Sequence, residues 1–358
     1  MTLHITTRHI PTLDGWRAVA ILAVLCCHLH WPNDQLAPYG AMGVLVFFAL
    51  SGFLITRRLM EEWRAAGRID RKSFYIRRAF RILPPILVYL ATVAILGLGL
   101  HRIPMDGKQL AASLFFYRNY LTEPVARSWY TGHFWSLAIE EHFYLLWPAF
   151  LWFAGLRRAR WMAPALALLV ALWRAADMHF NWVGRLNPEL RGYVGRTDYR
   201  LDILLFGCML ALIWDDPRVQ WLLERCGGTV LALAAATAGV CCQVWTPPGY
   251  LTLEAIPMAL LPAATVAKPH SWAGRLLELP LLVWIGRLSY SLYIWQQLFL
   301  PPDPSATWQM APWNLLAAFA CAAISFYAVE RPAIAFGKRL TSSPGPESPA
   351  RWRRGSVC

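Results

Sequence analysis

Apolar runs approaching the thickness of a bilayer recur ten times along this chain, each closed by charge or by Pro/Gly clusters. They fall at roughly 16–31, 40–56, 84–100, 133–156, 162–178, 201–214, 229–245, 253–267, 281–300 and 311–329. A helix needs about 20 apolar residues to cross about 30 Å of hydrocarbon. Several runs are shorter than that, with 201–214 and 253–267 the weakest. The pattern predicts an all-α, polytopic integral membrane protein of about ten transmembrane helices. Composition agrees: 57% of the 358 residues are apolar and 15% charged, against about 45–50% and about 25% in soluble domains. Disordered, collagen-like, coiled-coil and ordinary water-soluble classes are thereby excluded. With no long polar block, residues 1–335 read as one membrane-embedded domain, and the Pro/Ser/Arg-rich 336–358 as a disordered cytoplasmic tail.

Charge sets the orientation. The formal net charge of +13 would suggest a nucleic-acid partner in a soluble protein. Here its placement accounts for it without nucleic acid. With both termini cytoplasmic, 23 basic residues lie inside and nine outside, with Arg17 and Arg287 within spans. That asymmetry follows the positive-inside rule. The first run carries Arg17 and His28 and has no small-residue cleavage site, so it reads as a retained span. Most of the eight cysteines sit in apolar stretches as small hydrophobes, without CxxC or Cys/His ligand spacing, and no metal is expected. Residues 72–83 mix Phe74, Tyr75, Phe80 and Ile82 with Arg77, Arg78 and Arg81 ahead of Pro84-Pro85, which predicts an interfacial helix on the cytoplasmic surface.

Ionisable groups inside a span are costly, and each is a candidate for function. Arg17 and His28 are eleven residues apart. They therefore share a helix face, separated by roughly 16 Å along the axis. A cation near the cytoplasmic end and an imidazole near the far end suit a donor that enters from the cytoplasm and reacts deeper. The spacing is equally that of an interfacial anchor and a boundary histidine.

Span 133–156 starts outside with His133 and Trp135 and carries Glu140 and Glu141 in its outer half, where a carboxylate could orient the His28 imidazole for proton abstraction. Neighbours on a helix point about 100° apart, so one of the two is expected to face a given partner. Arg78 and Arg81 share a face, and their forks suit phosphates of a nucleotide-type donor or anionic lipid heads. Arg200 and Asp202 open another span from the outside, and Ser289, Tyr290 and Tyr293 place hydroxyls in 281–300. Glu330 closes the last span, and Gly40, Gly43, Ser51 and Gly52 permit close helix packing in the second.

Taken in order, these residues give the chain a family likeness. Leu13-Asp14-Gly15-Trp16-Arg17 with His28 comes first, followed by Phe47-Phe48-Ala-Leu-Ser51-Gly52-Phe53 and Arg78-x-x-Arg81-Ile-Leu-Pro84. Next come His133-Phe-Trp135-Ser-Leu-Ala-Ile-Glu140-Glu141-His-Phe-Tyr-Leu and Arg200-Leu-Asp202 with Gly207. Ser289-Tyr290-Ser-Leu-Tyr293 and Glu330-Arg-Pro332 complete the set. The chain resembles the membrane-bound acyltransferase family 3, bacterial O-acyltransferases that modify extracytoplasmic glycans and some glycosylated small products. The likeness covers about residues 10–335.

The resemblance implies a ten-helix body in the bacterial inner membrane. It also implies acyl-CoA, commonly acetyl-CoA, as co-substrate rather than a permanently bound cofactor, and a glycan or glycoside as acceptor. Arg17 and His28 would belong to the active site, and Arg78 and Arg81 would engage the donor. The expected mechanism has His28 as general base, oriented by Glu140 or Glu141. Asp14, Ser51, His133, Trp135, Arg200, Asp202, Ser289, Tyr290, Tyr293 and Glu330 are carried as substrate-contacting or structural polar positions. The chain departs from the family where His142 stands for a frequent Gln and Gln296 for a frequent His. No appended hydrolase-type domain is expected. The outward loops 101–132 and 174–200 are expected to shape acceptor choice. The competing reading is a polytopic transporter, which would move a glycan or glycoside without changing its mass. A non-catalytic scaffold is a third.

Overall fold

The computed structural model describes residues 10–29, 37–122, 125–245, 250–304 and 307–341. Every regular element among them is helical. In chain order they are α1 (Pro11–Cys27), α2 (Ala37–Ala66), α3 (Arg71–Ala94, continued by a π turn at Ile95–Gly99) and α4 (Gly107–Leu114). Next come α5 (Val125–Gly132), α6 (Phe134–Phe180), α7 (Trp182–Leu186), α8 (Thr197–Ile213) and α9 (Pro217–Cys226). Then follow α10 (Thr229–Trp245), α11 (Tyr250–Leu253), α12 (Ala255–Ala267) and α13 (Trp272–Leu277). The series ends with α14 (Pro280–Phe299), α15 (Trp313–Ser325), a π turn at Phe326–Glu330 and α16 (Arg331–Thr341).

Four helical stretches are long and apolar enough to cross a membrane: Tyr39–Ala66, Arg71–Gly99, Trp129–Phe180 and Trp313–Thr341. This is an integral membrane protein. The ten apolar runs all fall largely on helices, but α1, α8 and α10 have 17 residues each and α12 has 13. Those lengths are under the roughly 20 that hydrocarbon demands, and these four helices are not among the candidate spans. Their outer faces are apolar: Phe153 is 83% exposed and Trp161 79%, as lipid-facing or interfacial aromatics would be. Between these two, Gly155 takes φ 73° and ψ 160° and breaks α6 into arms 134–154 and 156–180. Only a residue without Cβ adopts that conformation at little cost.

The segment expected to lie separately on the surface, 72–83, is instead the first half of α3, which runs on through Pro84 and Pro85. Its start is fixed by Asp70, whose carboxylate accepts the Ser73 N–H at 3.1 Å. That bond and the Ser73 hydroxyl hold the Asp70 carboxyl below its ordinary range. Prolines usually break a helix by removing donors from the preceding turn. Pro84 and Pro85 withhold N–H groups from the Phe80 and Arg81 carbonyls, yet α3 continues past both; beside this turn the Tyr290 hydroxyl donates to the Ile82 carbonyl at 2.8 Å and ties α14 to α3. At the other end, α16 extends to Thr341, into the stretch read as tail; residues 342–358 lie outside the described ones.

Helix association in lipid relies on close packing more than on the hydrophobic effect. Small residues deliver it here. Gly43 of α2 lies against the Ala20 carbonyl of α1, and Gly52 of α2 lies against the Leu204 carbonyl of α8. Tightest is Gly286 of α14, where a Cβ would sit 1.8 Å from the Asp14 carbonyl oxygen of α1. Ser51, read with these glycines, faces a cavity instead. The core between these helices is filled by Ile21, Phe48, Ile86, Tyr89, Phe134, Leu204 and Ile294, all fully buried.

Because a backbone carbonyl cannot step aside, Gly286→Ala is expected to separate α1 from α14. The cost of such overpacking is about 1–3 kcal/mol, read as a lower thermal midpoint in detergent and less folded protein. An unchanged midpoint would show that the contact is looser than the geometry indicates.

Candidate active site

Five helices converge on a cavity of about 730 Å³, counted to its open mouth. Helix α1 supplies Arg17, α2 supplies Phe47 and Ser51, and α3 supplies Arg78, Arg81 and Ile82. Ser136, Glu140, Glu141 and Tyr144 come from α6, and Ser289, Tyr290 and Tyr293 from α14. Its enclosed part is small, about 90 Å³. Three guanidiniums against two carboxylates leave the lining positive, which favours an anionic occupant.

The two glutamates do not divide between partners as their 100° separation suggested. One guanidinium bridges both: Arg78 Nη2 lies 4.0 Å from Glu140 Oε2 and 3.7 Å from Glu141 Oε1. Its Cζ stands 3.4 Å over the Tyr144 ring, a cation–π contact that fixes the plane of the fork. Glu140 also accepts the Ser51 hydroxyl at 3.1 Å and the Tyr144 hydroxyl at 3.3 Å. Arg81 is different. Among the described residues it makes no hydrogen bond and no ion pair within 4.0 Å, so its donors are left to the cavity. Arg17 stays 3.6 Å from Asp14, which also holds Arg287 Nε at 3.5 Å. Asp14 thereby ties α1 to α14 beneath the cavity.

His28, at the far end of α1, is not among the cavity-lining residues. Its Nδ1 lies 3.0 Å from Gln296 Oε1. The Trp129 ring packs edge-on at 5.2 Å between centroids. The expected pairing of His28 with Glu140 or Glu141 is therefore not the arrangement described: the carboxylates attend Arg78 and an amide attends the imidazole. On the next residue of α14, Gln297 Oε1 meets His133 Nδ1 and accepts the His133 backbone N–H at 3.3 Å. His133 is 3% exposed and packed among Tyr89, Phe134 and Tyr293. Tyr293 donates to the His133 carbonyl at 2.9 Å and meets the Ser136 hydroxyl. One face of α14 thus runs from Tyr290 and Tyr293 at the cavity to Gln296 and Gln297 at the histidines, about 9 Å at 1.5 Å per residue.

The other predicted positions take structural places. Arg200 donates to Glu254 at 2.9 Å, and Asp202 accepts from Arg174 at 3.0 Å and from Thr252 at 2.9 Å. These buried pairs join α8 to the second arm of α6 and to α11–α12. Trp135 packs edge-on against Phe48, and Glu330 accepts the Ser291 hydroxyl at 2.9 Å. His142 Nδ1 meets the Thr197 hydroxyl at 2.7 Å, and the Asn119 amide donates to the same threonine at 2.8 Å, so segments 101–132 and 174–200 are tied together. Sequence reasoning noted Gln296 only as a departure from the family and gave no role to Gln297 or Trp129. Two adjacent amides inside the apolar run Ile294–Phe299 were the available signal.

Helices long enough to span lipid thus stand around a basic cavity, with a histidine at the far end of the first helix. Residues 10–330 match the family model described as an acyltransferase domain, family 3, and the chain belongs to that family. It is 32% identical over 326 residues to the peptidoglycan O-acetyltransferase OatA of Listeria monocytogenes, covering 82% of this chain and 50% of that protein. It is 34% identical over 317 residues to the Bacillus subtilis protein named "Putative peptidoglycan O-acetyltransferase YrhL", covering 80% and 48%. A Staphylococcus aureus (strain COL) protein named "Putative O-acetyltransferase" is 33% identical over 317 residues, covering 80% and 50%. The chain thus spans about half the length of these curated relatives. No solved structure matches it.

Proposed function

We propose that this protein transfers an acetyl group from cytosolic acetyl-CoA to a hydroxyl of an extracytoplasmic glycan. The observation that carries the reading is the uncommitted Arg81 beside Arg78 and Arg17 in the cavity, on helices that lead to His28. The arginines hold the donor's phosphates through charge-assisted bonds. Glu140 and Glu141 hold Arg78 in place. His28 takes the proton of the acceptor hydroxyl as its oxygen forms the new C–O bond to the acyl carbon. The C–S bond of the thioester breaks, and the proton passes from the imidazolium to the departing CoA thiolate. Atoms and charge balance without a further reactant. The acceptor class rests on the names of the relatives, which describe peptidoglycan.

The same reading sets the protein in a bacterial inner membrane with about ten crossings and both termini cytoplasmic, supported by the 23-to-nine split of basic residues. Membranes containing the protein, given acetyl-CoA labelled in the acetyl group, are expected to pass label to peptidoglycan-type oligosaccharide. Passage of the oligosaccharide across the membrane with its mass unchanged would overturn the reading in favour of transport.

A further inference from the structure

We infer that Gln296 is the positioning residue for His28, holding the imidazole as its Nδ1–H tautomer so that Nε2 is the proton acceptor. The inference rests on the proposed reading of His28 as general base and names the group that makes it one. An amide oxygen can only accept, so a bond between Gln296 Oε1 and His28 Nδ1 at 3.0 Å requires the proton on Nδ1. A neutral imidazole carries one N–H, which leaves the lone pair on Nε2.

Two further observations separate this bond from ordinary packing. Gln296 is fully buried, and its own Nε2 has no hydrogen-bond partner among the described residues. A buried donor left unpaired is a cost, so the amide is not held there by a satisfied polar network. The bond described for its side chain is the one to His28. The carboxylates that could have done the same work are engaged at Arg78 instead. On the opposite flank the Trp129 ring, 5.2 Å away and inclined by 75°, restricts rotation of the imidazole.

The neighbouring pair supplies a contrast. Gln297 meets His133 Nδ1 in the same way, but His133 is buried among aromatic rings, whereas His28 is half-buried. Helix α14 offers two imidazoles the same tautomeric restraint, and only His28 is open to a substrate. A neutral amide orients the ring without itself placing a negative charge beside it.

The test compares wild type, His28→Ala, Gln296→Met and Gln296→Glu in the full-length purified protein, with acetyl-CoA and a peptidoglycan-type oligosaccharide. Methionine keeps the volume and removes the acceptor oxygen; glutamate restores an acceptor. Gln296→Met is expected to lower kcat by about 10- to 100-fold, part of what a positioned base supplies, with KM for acetyl-CoA unchanged. Gln296→Glu is expected to recover most of that loss. A Gln296→Met kcat close to wild type, beside an inactive His28→Ala, overturns this inference alone. An active His28→Ala overturns the base reading and this inference with it. A second measurement does not depend on activity or on either variant folding. The 15N spectrum of ring-labelled wild-type protein is expected to show His28 protonated at Nδ1, and a proton at Nε2 instead overturns the inference.

Discussion

His28→Ala abolishes acetyl transfer while the protein remains folded and still binds acetyl-CoA. That is the expected result with the largest effect. A positioned general base contributes about 10²–10⁴-fold, and methyl for imidazole leaves no nearby group in the same place. His133 cannot substitute, because it is 3% exposed and enclosed by Tyr89, Phe134 and Tyr293. Folding should survive, since His28 stands at the end of α1 and outside the packed core. Steady-state transfer and acetyl-CoA binding, measured on matched amounts of protein, check the outcome. Equal kcat in wild type and mutant would remove His28 from the mechanism while leaving the family intact.

The second large effect lies in the cavity, on α3, and separates two arginines that the sequence treats alike. Arg81→Ala is expected to raise KM for acetyl-CoA by about 10- to 100-fold, the loss of one charge-assisted hydrogen bond of roughly 1.5–3 kcal/mol. Thermal stability should hardly change, because Arg81 has no ion pair among the described residues to lose. Arg78→Ala removes the cation between Glu140 and Glu141 and the contact with Tyr144. It leaves two carboxylates side by side. Breaking a buried pair costs about 3–5 kcal/mol, less where cavity water reaches the charges, so this variant should also lose thermal stability. Arg78→Lys restores the charge without the planar fork and should recover stability better than donor affinity. If Arg81→Ala proved the less stable of the two alanine variants, the division of labour between them would be wrong.

Much of this was legible in the sequence. The ten apolar runs located the helices because lipid imposes its length on any segment that crosses it, and the arginine spacing placed Arg78 and Arg81 on one face. What escaped was set by contacts between distant segments. The tie between α3 and α14 beside Pro84 and Pro85 comes from a hydroxyl 208 residues away. The partner of His28 is 268 residues away and is an amide, a residue type that proton-transfer reasoning passes over. Adjacent glutamates pointing 100° apart looked like two addresses. A guanidinium wide enough to touch both made them one, and helix geometry alone does not contain that information.

The contact of Gly286 with the Asp14 carbonyl, reinforced by Asp14 holding both Arg17 and Arg287, clamps α1 to α14 so that neither can slide along the other. Within α1 itself roughly 16 Å of helix stands, unadjustable, between Arg17 and His28. Under the proposed reading the protein acts as a ruler. A donor is accepted when its phosphates and its acyl carbon lie about that far apart on a flexible arm, as in a coenzyme thioester. A compact acyl phosphate would carry the same reactive group and the same charge, but could occupy only one end of the scale.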